Sequence, residues 1–227
     1  CKMTGAVPVI VETRNEDKFK LTPELLESAI TEKTKMLVLA YPNNPTGAIM
    51  DAEDLEKIAQ ILREKQIIVL SDEIYAELTY GRRHVSIASL TEMWERTVVV
   101  SGFSKAYAMT GWRLGYICAP APLAKQMLKI HQYAIMCAPT TAQLAAITAL
   151  RNCDEDVAAM TAEEKAHMVT GVQKPVKPGA SGGTYPIDRL GVPSITVNDG
   201  PAGVRYGTAV WYPSVHNLTA SWDPALI

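Results

Sequence analysis

Short runs of branched aliphatic residues that alternate with helix-forming segments constrain the fold of this chain more than any other feature. The runs are AVPVIVE (6–12), KMLVLAY (35–41), IIVLSDE (67–73), TVVVSG (97–102) and RLGYICA (113–119). Continuous apolar runs are typical of strands buried on both faces, and the helices between such strands cover those faces. The pattern predicts an α/β fold with a mostly parallel sheet and helices on both faces.

Two of the intervening segments carry helix start signals. Thr22 precedes Pro23 and Glu24, a favourable start because proline lacks an amide proton that the first helical turn cannot use. Asp51 opens the segment DAEDLEKIAQILREK, with acidic residues in the first turn. Its apolar residues recur at helical spacing and predict one buried face: Leu55, Ile58, Ile61 and Leu62.

Glycine and proline divide the chain into two parts. They account for 13 of the first 160 residues but for 15 of the last 67. The first part alternates strand-like and helix-like segments, whereas the second consists mainly of turn-forming residues. We predict a domain boundary near Met160, with domains at residues 1–160 and 161–227.

Charge and hydropathy exclude several classes of partner. The net charge is −2 and charged residues make up 20% of the chain, so no nucleic acid partner is predicted. Pro139 and Gln143 interrupt the most apolar stretch, residues 134–150, so no membrane span is predicted. Four cysteines without a C-x-x-C pair, and no recognisable signal peptide, predict a reducing, cytoplasmic compartment. The four histidines lie far apart, and no metal site is predicted.

Polar side chains follow several of the predicted strands, where ligands of open α/β sheets bind. They are Asn43 and Asn44 in PNNPTG, Asp72 and Tyr75 in SDEIY, and Ser104 and Lys105 after TVVVSG, with Arg113 at the start of the next strand. Taken singly, each has a plain structural explanation as a turn residue, a cap, a packed ring or a solvated charge. Their occurrence in this order at successive strand ends predicts that they share one crevice.

These functional groups match the needs of pyridoxal phosphate. A lysine amine condenses with an aldehyde, a carboxylate keeps a pyridine nitrogen protonated, and a guanidinium binds a phosphate through two hydrogen bonds. A protonated ring nitrogen makes the cofactor a stronger electron sink for charge at the α carbon of an amino acid. Asn44 and Tyr75 would donate hydrogen bonds to the ring hydroxyl oxygen. The sequence therefore predicts pyridoxal 5′-phosphate as cofactor.

The segments YPNNPTG, SDEIY and SGFSKAYAMTGWRLGY resemble, in this order, the characteristic segments of class I and II aminotransferases, which are fold type I pyridoxal-phosphate enzymes. The resemblance covers about residues 3–158, most of that family's large domain. It implies amino-group transfer between an amino acid and a 2-oxo acid, in a homodimer. The implied roles are cofactor anchor and proton carrier for Lys105, ring-nitrogen partner for Asp72, ring-oxygen donors for Asn44 and Tyr75, and phosphate ligands for Arg113 and either Ser101 or Ser104.

This sequence also departs from the family pattern. It shows no counterpart of the family's glycine-rich phosphate loop, of the aromatic residue stacked on the cofactor ring, or of the arginine that grips the substrate carboxylate. We therefore expect a truncated fragment that binds the cofactor weakly and has weak activity or none.

The last part of the chain resembles a different family. MTAEEKAHMVTG, YPIDRLGVPSITVNDGPAGVR and NLTASWDPALI are similar to the start of the glycoside hydrolase family 3 catalytic domain, a β-glucosidase-like (β/α) barrel. Thr161 and Glu164 predict a capping box for a helix over 161–169. PSITVNDG is predicted as a first barrel strand, with Asp199 at its carboxyl end either contacting sugar or bonding its own turn. A retaining glycosidase needs two carboxylates, whose family segments would lie beyond residue 227, so no hydrolase activity is expected.

The favoured interpretation is a pyridoxal-phosphate-dependent aminotransferase, present as a fragment. Two alternatives remain open. One is a fragment of a β-glucosidase-like hydrolase, which turnover of an aryl glucoside would support. The other is a remnant that binds pyridoxal phosphate without transferring an amino group.

Overall fold

The computed structural model describes residues 4–169, 182–183, 186, 188–190 and 196–197. Contacts between residues divide the chain into two units, Cys1–Val157 and Ala158–Ile227. The helices of the described part are α1 (Pro23–Ala29), α2 (Ala52–Arg63), α3 (Ala121–Ala134), α4 (Thr140–Asn152), α5 (Asp154–Ala159) and α6 (Ala162–Val169). The strands are β1 (Met36–Ala40), β2 (Ile68–Asp72), β3 (Thr97–Gly102), β4 (Gly115–Cys118), β5 (Gly182–Gly183) and β6 (Thr196–Val197). Short 3₁₀ helices lie at Asn15–Asp17, Ala76–Leu78, Ile87–Ser89, Trp94–Arg96, Thr110–Trp112 and Asp188–Leu190.

In the described part of the first unit, one sheet has the strand order β1-β2-β3-β4. The first three strands are parallel, and β4 runs antiparallel to β3. Ala40 lies opposite Asp72, Asp72 opposite Val100, and Gly102 opposite Gly115. The predicted mostly parallel sheet is therefore confirmed. This register brings the carboxyl ends of β1, β2 and β3 and the start of β4 to the same edge.

The prediction of a strand at residues 6–12 is wrong. Val7, Val9 and Ile10 are 85%, 67% and 79% exposed, and no described strand pairs with this segment. An extended segment is stable in a sheet only when a neighbour satisfies its backbone groups, and Pro8 has no amide proton to offer one. The apolar pattern alone does not supply that neighbour.

Both helix start signals are confirmed. Thr22 Oγ1 accepts a hydrogen bond from the Leu25 amide at 3.3 Å, with proline at the start of α1. Asp51 and Asp54 form a reciprocal capping box at the start of α2, with both hydrogen bonds at 3.2 Å. The Lys20 ammonium pairs with both carboxylates, which ties α2 to the segment before α1.

Helix α2 provides one side of the main core. Its buried residues are Leu55, Ile58, Ala59 and Leu62. They belong to a cluster with Leu39 of β1 and Val69 of β2, and Ile61 packs against it partly buried. Burial of each large aliphatic side chain contributes about 1.5–3 kcal/mol, so this face holds the helix on the sheet. On β1, Met36 and Val38 stay 49% and 60% exposed.

The described part of the second unit begins with the predicted capping box. The Glu164 amide donates to Thr161 Oγ1 at 3.2 Å, and the Thr161 amide donates to Glu164 Oε2 at 2.8 Å, which confirms the helix start. Arg189 also contacts this carboxylate, and hydrogen bonds from Arg189 and Thr161 lower the pKa of Glu164 to about 2. Strand β6 lies within PSITVNDG and pairs antiparallel with β5. Asp199 lies outside the described residues, and the resemblance to a glycoside hydrolase stays a prediction.

The described residues contain neither a membrane-spanning helix nor a metal-binding cluster of side chains. None of the helices there combines the length and the apolar character needed to cross a membrane. Within the same residues, no three His, Cys, Asp or Glu side chains are grouped so that they could hold a metal ion.

Candidate active site

The edge formed by the carboxyl ends of the parallel strands carries the predicted cofactor residues. Asn44 follows β1, Asp72 ends β2 and Tyr75 follows it, Ser104 and Lys105 follow β3, and Arg113 precedes β4. Because β4 is antiparallel, its start lies at the same edge as the end of β3. Topology therefore gathers residues that lie far apart in the sequence.

Asn44, Tyr75 and Lys105 are joined by side-chain contacts. Asn44 Nδ2 donates to the Tyr75 hydroxyl at 3.1 Å. Lys105 Nζ lies 5.5 Å from the centroid of the Tyr75 ring, within the range of a cation–π interaction. We call these three residues the contact group. An amide, a phenol and an amine thus meet at one point of the sheet edge.

Asp72 is half-buried at the end of β2. Its Oδ1 accepts a hydrogen bond from the Ile74 amide at 3.2 Å, which restrains the carboxylate. An ionised carboxylate accepts about four hydrogen bonds, so this one bond leaves capacity for a ligand.

Two hydrogen bonds from side chains to backbone carbonyls link Arg113 to the segment that carries Lys105. Its backbone is left-handed, with φ of 51°, and Nη1 donates to the Thr110 carbonyl at 3.0 Å. Thr110 Oγ1 in turn donates to the Ser104 carbonyl at 2.8 Å. The described contacts do not join the Arg113 side chain to the contact group. Ser101 Oγ donates to the Glu73 carbonyl at 3.5 Å, so Ser104 is the better candidate for a phosphate contact.

A buried anchor holds the segment that carries Lys105. Phe103, Ala106 and Met109 are 4%, 4% and 7% exposed, whereas Lys105 is only partly buried. The Phe103 ring contacts the rings of Tyr107 and Tyr116, with centroids 5.6 Å apart in both pairs. Alanines of α4 complete this cluster. The anchor fixes the backbone on either side of Lys105 and leaves the lysine at the sheet edge.

Gly102 and Gly115 allow β3 and β4 to approach closely. A Cβ atom on Gly102 would lie 3.0 Å from the Gly115 Cα and 3.0 Å from the Leu114 carbonyl oxygen. A Cβ atom on Gly115 would lie 2.9 Å from the Ser101 carbonyl oxygen. Only glycine fits at this pair without a shift of the backbone, and Lys105 and Arg113 lie between the two glycines in the chain.

A buried polar network next to Asp72 is not predicted from the sequence. Glu73 is 5% exposed and contacts three polar side chains of the described part, Ser71, His84 and Ser86. Strand alternation was the available signal, because residues 71 and 73 must face away from residue 72. The loop that brings His84 and Ser86 to Glu73 has no such signal in the sequence.

Comparison with known proteins decides the family. Residues 1–173 match the family described as Aminotransferase class I and II. The chain belongs to this family. It is 54% identical over 158 residues to YugH of Bacillus subtilis, a protein named as an aminotransferase. The matched region covers 70% of this chain and 41% of YugH. It is also 46% identical over 151 residues to an aspartate aminotransferase of Pyrococcus abyssi. That matched region covers 66% of this chain and 39% of the Pyrococcus abyssi protein.

Solved structures of aminotransferases share this fold. The aromatic aminotransferase of Pyrococcus horikoshii superposes with a TM-score of 0.66 at 44% identity, covering 70% of this chain and 43% of that one. An aspartate aminotransferase of Thermus thermophilus with maleate superposes with a TM-score of 0.67 at 38% identity, covering 73% and 43%. The chain thus spans about two fifths of the length of the curated relatives it matches.

Proposed function

We propose that this chain provides the cofactor-binding part of a pyridoxal-phosphate-dependent aminotransferase, which transfers an amino group between an amino acid and a 2-oxo acid. The observation that carries the proposal is the contact group of Asn44, Tyr75 and Lys105 at the edge where Asp72 ends β2. Membership of the aminotransferase family supports it.

The donor set at the sheet edge fits pyridoxal phosphate. Lys105 offers an amine for the aldehyde, and Asp72 offers a carboxylate with unused acceptor capacity for the ring nitrogen. Arg113 is exposed and carries several N–H donors besides the one bonded to Thr110, which suits a phosphate. When bound, pyridoxal phosphate supplies an electron sink for negative charge at the α carbon of the amino acid.

Asn44 sets the direction in which Tyr75 can donate. Because the Tyr75 hydroxyl oxygen accepts from Asn44 Nδ2, its own proton is available for an acceptor at the sheet edge. The amide group of Asn44 has a second N–H for the same acceptor. Both residues can therefore hold the ring hydroxyl oxygen, as their place in the sequence predicts.

Lys105 is proposed to act twice. Its Nζ first anchors the cofactor and, once released, accepts the proton that leaves the α carbon of the amino acid. The Tyr75 ring lies 5.5 Å from Nζ, close enough for its face to attract the lysine side chain when that side chain is an ammonium. Asp72 would hold the ring nitrogen through its carboxylate.

The protein's partners follow from this function. We propose an amino acid and a 2-oxo acid as its small-molecule partners, and a homodimer in a cytoplasmic setting. Sedimentation of the purified chain with and without pyridoxal phosphate tests the dimer. A single monomeric species under both conditions would contradict it.

An amino-transfer assay tests the function. The chain is incubated with pyridoxal phosphate, L-aspartate and 2-oxoglutarate, and newly formed glutamate is measured, with Lys105→Ala as the control. Glutamate formation that needs both pyridoxal phosphate and Lys105 would support the aminotransferase. Cofactor bound at Lys105 without glutamate, over a panel of amino acid donors, would favour the non-catalytic alternative.

A further inference from the structure

Glu73 is a buried carboxylate that directly follows Asp72. Within the described residues, Ser71 Oγ donates to its Oε1 at 2.8 Å and Ser86 Oγ donates to the same oxygen at 2.6 Å. His84 Nε2 lies 3.0 Å from its Oε2. The side chains of Glu73 and His84 are only 6% and 12% exposed. Burying a carboxylate is costly unless it is fully hydrogen-bonded, and these contacts satisfy both of its oxygens.

The network keeps Glu73 charged. Burial alone raises the pKa of Glu73, but hydrogen bonds from His84, Ser86 and Ser71 outweigh burial and leave the pKa below its ordinary value of 4.5. An ionised carboxylate can only accept, so His84 Nε2 carries the proton in this contact. His84 Nδ1 is buried and has no hydrogen-bond partner among the described residues.

The same residues fix the backbone around Asp72. The Glu73 amide donates to the Val100 carbonyl of β3 at 2.8 Å, and the Glu73 carbonyl accepts from Ser101 Oγ. Along an extended strand, Ser71 and Glu73 face one side of the sheet and Asp72 the other. The peptide groups on both sides of Glu73 are therefore held by β3, and the Glu73 side chain is held on the face opposite the Asp72 carboxylate.

We infer that Glu73 is a positioning residue for Asp72, acting with His84, Ser71 and Ser86 to hold the end of β2 so that the Asp72 carboxylate keeps its orientation toward the cofactor. This inference rests on the proposed function only for what Asp72 binds. The orientation itself is a property of the protein without cofactor. A network that merely stabilises the fold would affect all parts of the sheet alike.

The Ile74 amide reports the Asp72 carboxylate directly, because it donates to Asp72 Oδ1. We would measure its hydrogen exchange in the full chain without cofactor. Glu73→Ala is expected to speed its exchange by about tenfold relative to amides in α2, because the end of β2 loses three hydrogen bonds. Glu73→Gln keeps an oxygen for the two serines and should stay within about threefold of the unmodified chain.

Two further variants keep the test decisive. Leu62→Ala removes a fully buried side chain of α2 and serves as the stability control, with no selective effect on Ile74 expected. Ser71→Ala removes one donor and little volume, so it reports the same effect at smaller size if Glu73→Ala does not fold. Unchanged Ile74 exchange in Ser71→Ala and Glu73→Ala, or an equal effect of Leu62→Ala, would overturn the inference.

Pyridoxal phosphate binding provides the second readout. Glu73→Ala should weaken it by about tenfold, with Glu73→Gln restoring it to within about threefold. If the unmodified chain forms no Lys105 adduct but the Ile74 amide exchanges faster in Glu73→Ala, the proposed function fails and the positioning role stands. If the adduct forms normally in Glu73→Ala and Ile74 exchange is unchanged, the positioning role fails and the proposed function stands.

Discussion

The side-chain amide of Asn44 donates a hydrogen bond to the Tyr75 hydroxyl at 3.1 Å, across loops that follow different strands. Tyr75→Phe removes this bond and the donor that Tyr75 would offer the cofactor. We expect the affinity for pyridoxal phosphate to fall by about tenfold, because each hydrogen bond contributes about 0.5–1.5 kcal/mol. Thermal unfolding should change little, since Asn44 is exposed. Absorbance titrations measure the affinity. Tyr80→Phe, at an exposed tyrosine, is the matched control, and equal affinities of both variants would count against the assigned roles.

Asp72→Asn separates charge from shape at the end of β2. The asparagine side-chain oxygen can still accept from the Ile74 amide, so the free energy of unfolding should stay within about 0.5 kcal/mol. Cofactor affinity should fall by about tenfold or more because the partner of the ring nitrogen loses its charge. Asp17→Asn, at an exposed acid, is the control. Parallel losses of folded signal and cofactor binding in Asp72→Asn would contradict the role of Asp72.

Gly102→Ala tests whether the close approach of β3 and β4 maintains the site. The new methyl group would lie 3.0 Å from the Gly115 Cα, so the strands must separate. We expect a loss of about 1–3 kcal/mol in the free energy of unfolding, measured with urea, and weaker cofactor binding. Gly111→Ala is the matched control, because nothing lies within 4 Å of a Cβ atom there. A fully stable Gly102→Ala variant with normal cofactor binding would show that the glycine pair is dispensable.

The loss of folding stability at acidic pH should reflect the lowered pKa of Glu73. Its pKa in the folded protein lies below the ordinary value of 4.5, so the unfolded chain binds the proton more tightly. This contribution to stability is present above about pH 4.5 and is lost as the pH falls through the lowered pKa. Urea unfolding between pH 7 and pH 3 should therefore show a smaller decline for Glu73→Gln than for the unmodified chain. An equal decline of the free energy of unfolding in both proteins would mean that folding does not lower the pKa of Glu73.

Part of this site follows from local sequence patterns. Aliphatic runs predict β2 and β3, and the strand ends then place Asp72 and Lys105 at one edge, because parallel strands share a direction. The caps at Thr22 and Asp51 depend only on a few neighbouring residues, and the structure confirms both. Local chemistry is sufficient for such features.

Other features depend on tertiary contacts. Residues 6–12 have a strand-like pattern but no described partner strand. The burial of Glu73 depends on the loop that delivers His84 and Ser86, and sequence spacing does not indicate it. Likewise, the need for glycine at 102 arises only when β4 pairs with β3.

The central claim is that Lys105 anchors pyridoxal phosphate. The purified chain is titrated with the cofactor while the visible absorbance is followed, then reduced with borohydride and mapped by mass spectrometry. We expect one dominant adduct on Lys105, none in Lys105→Ala, and an unchanged adduct in Lys125→Ala, a control at an exposed lysine of α3. Labelling of Lys105→Ala to the same extent as the unmodified chain, or labelling spread over surface lysines, would contradict the proposed cofactor site.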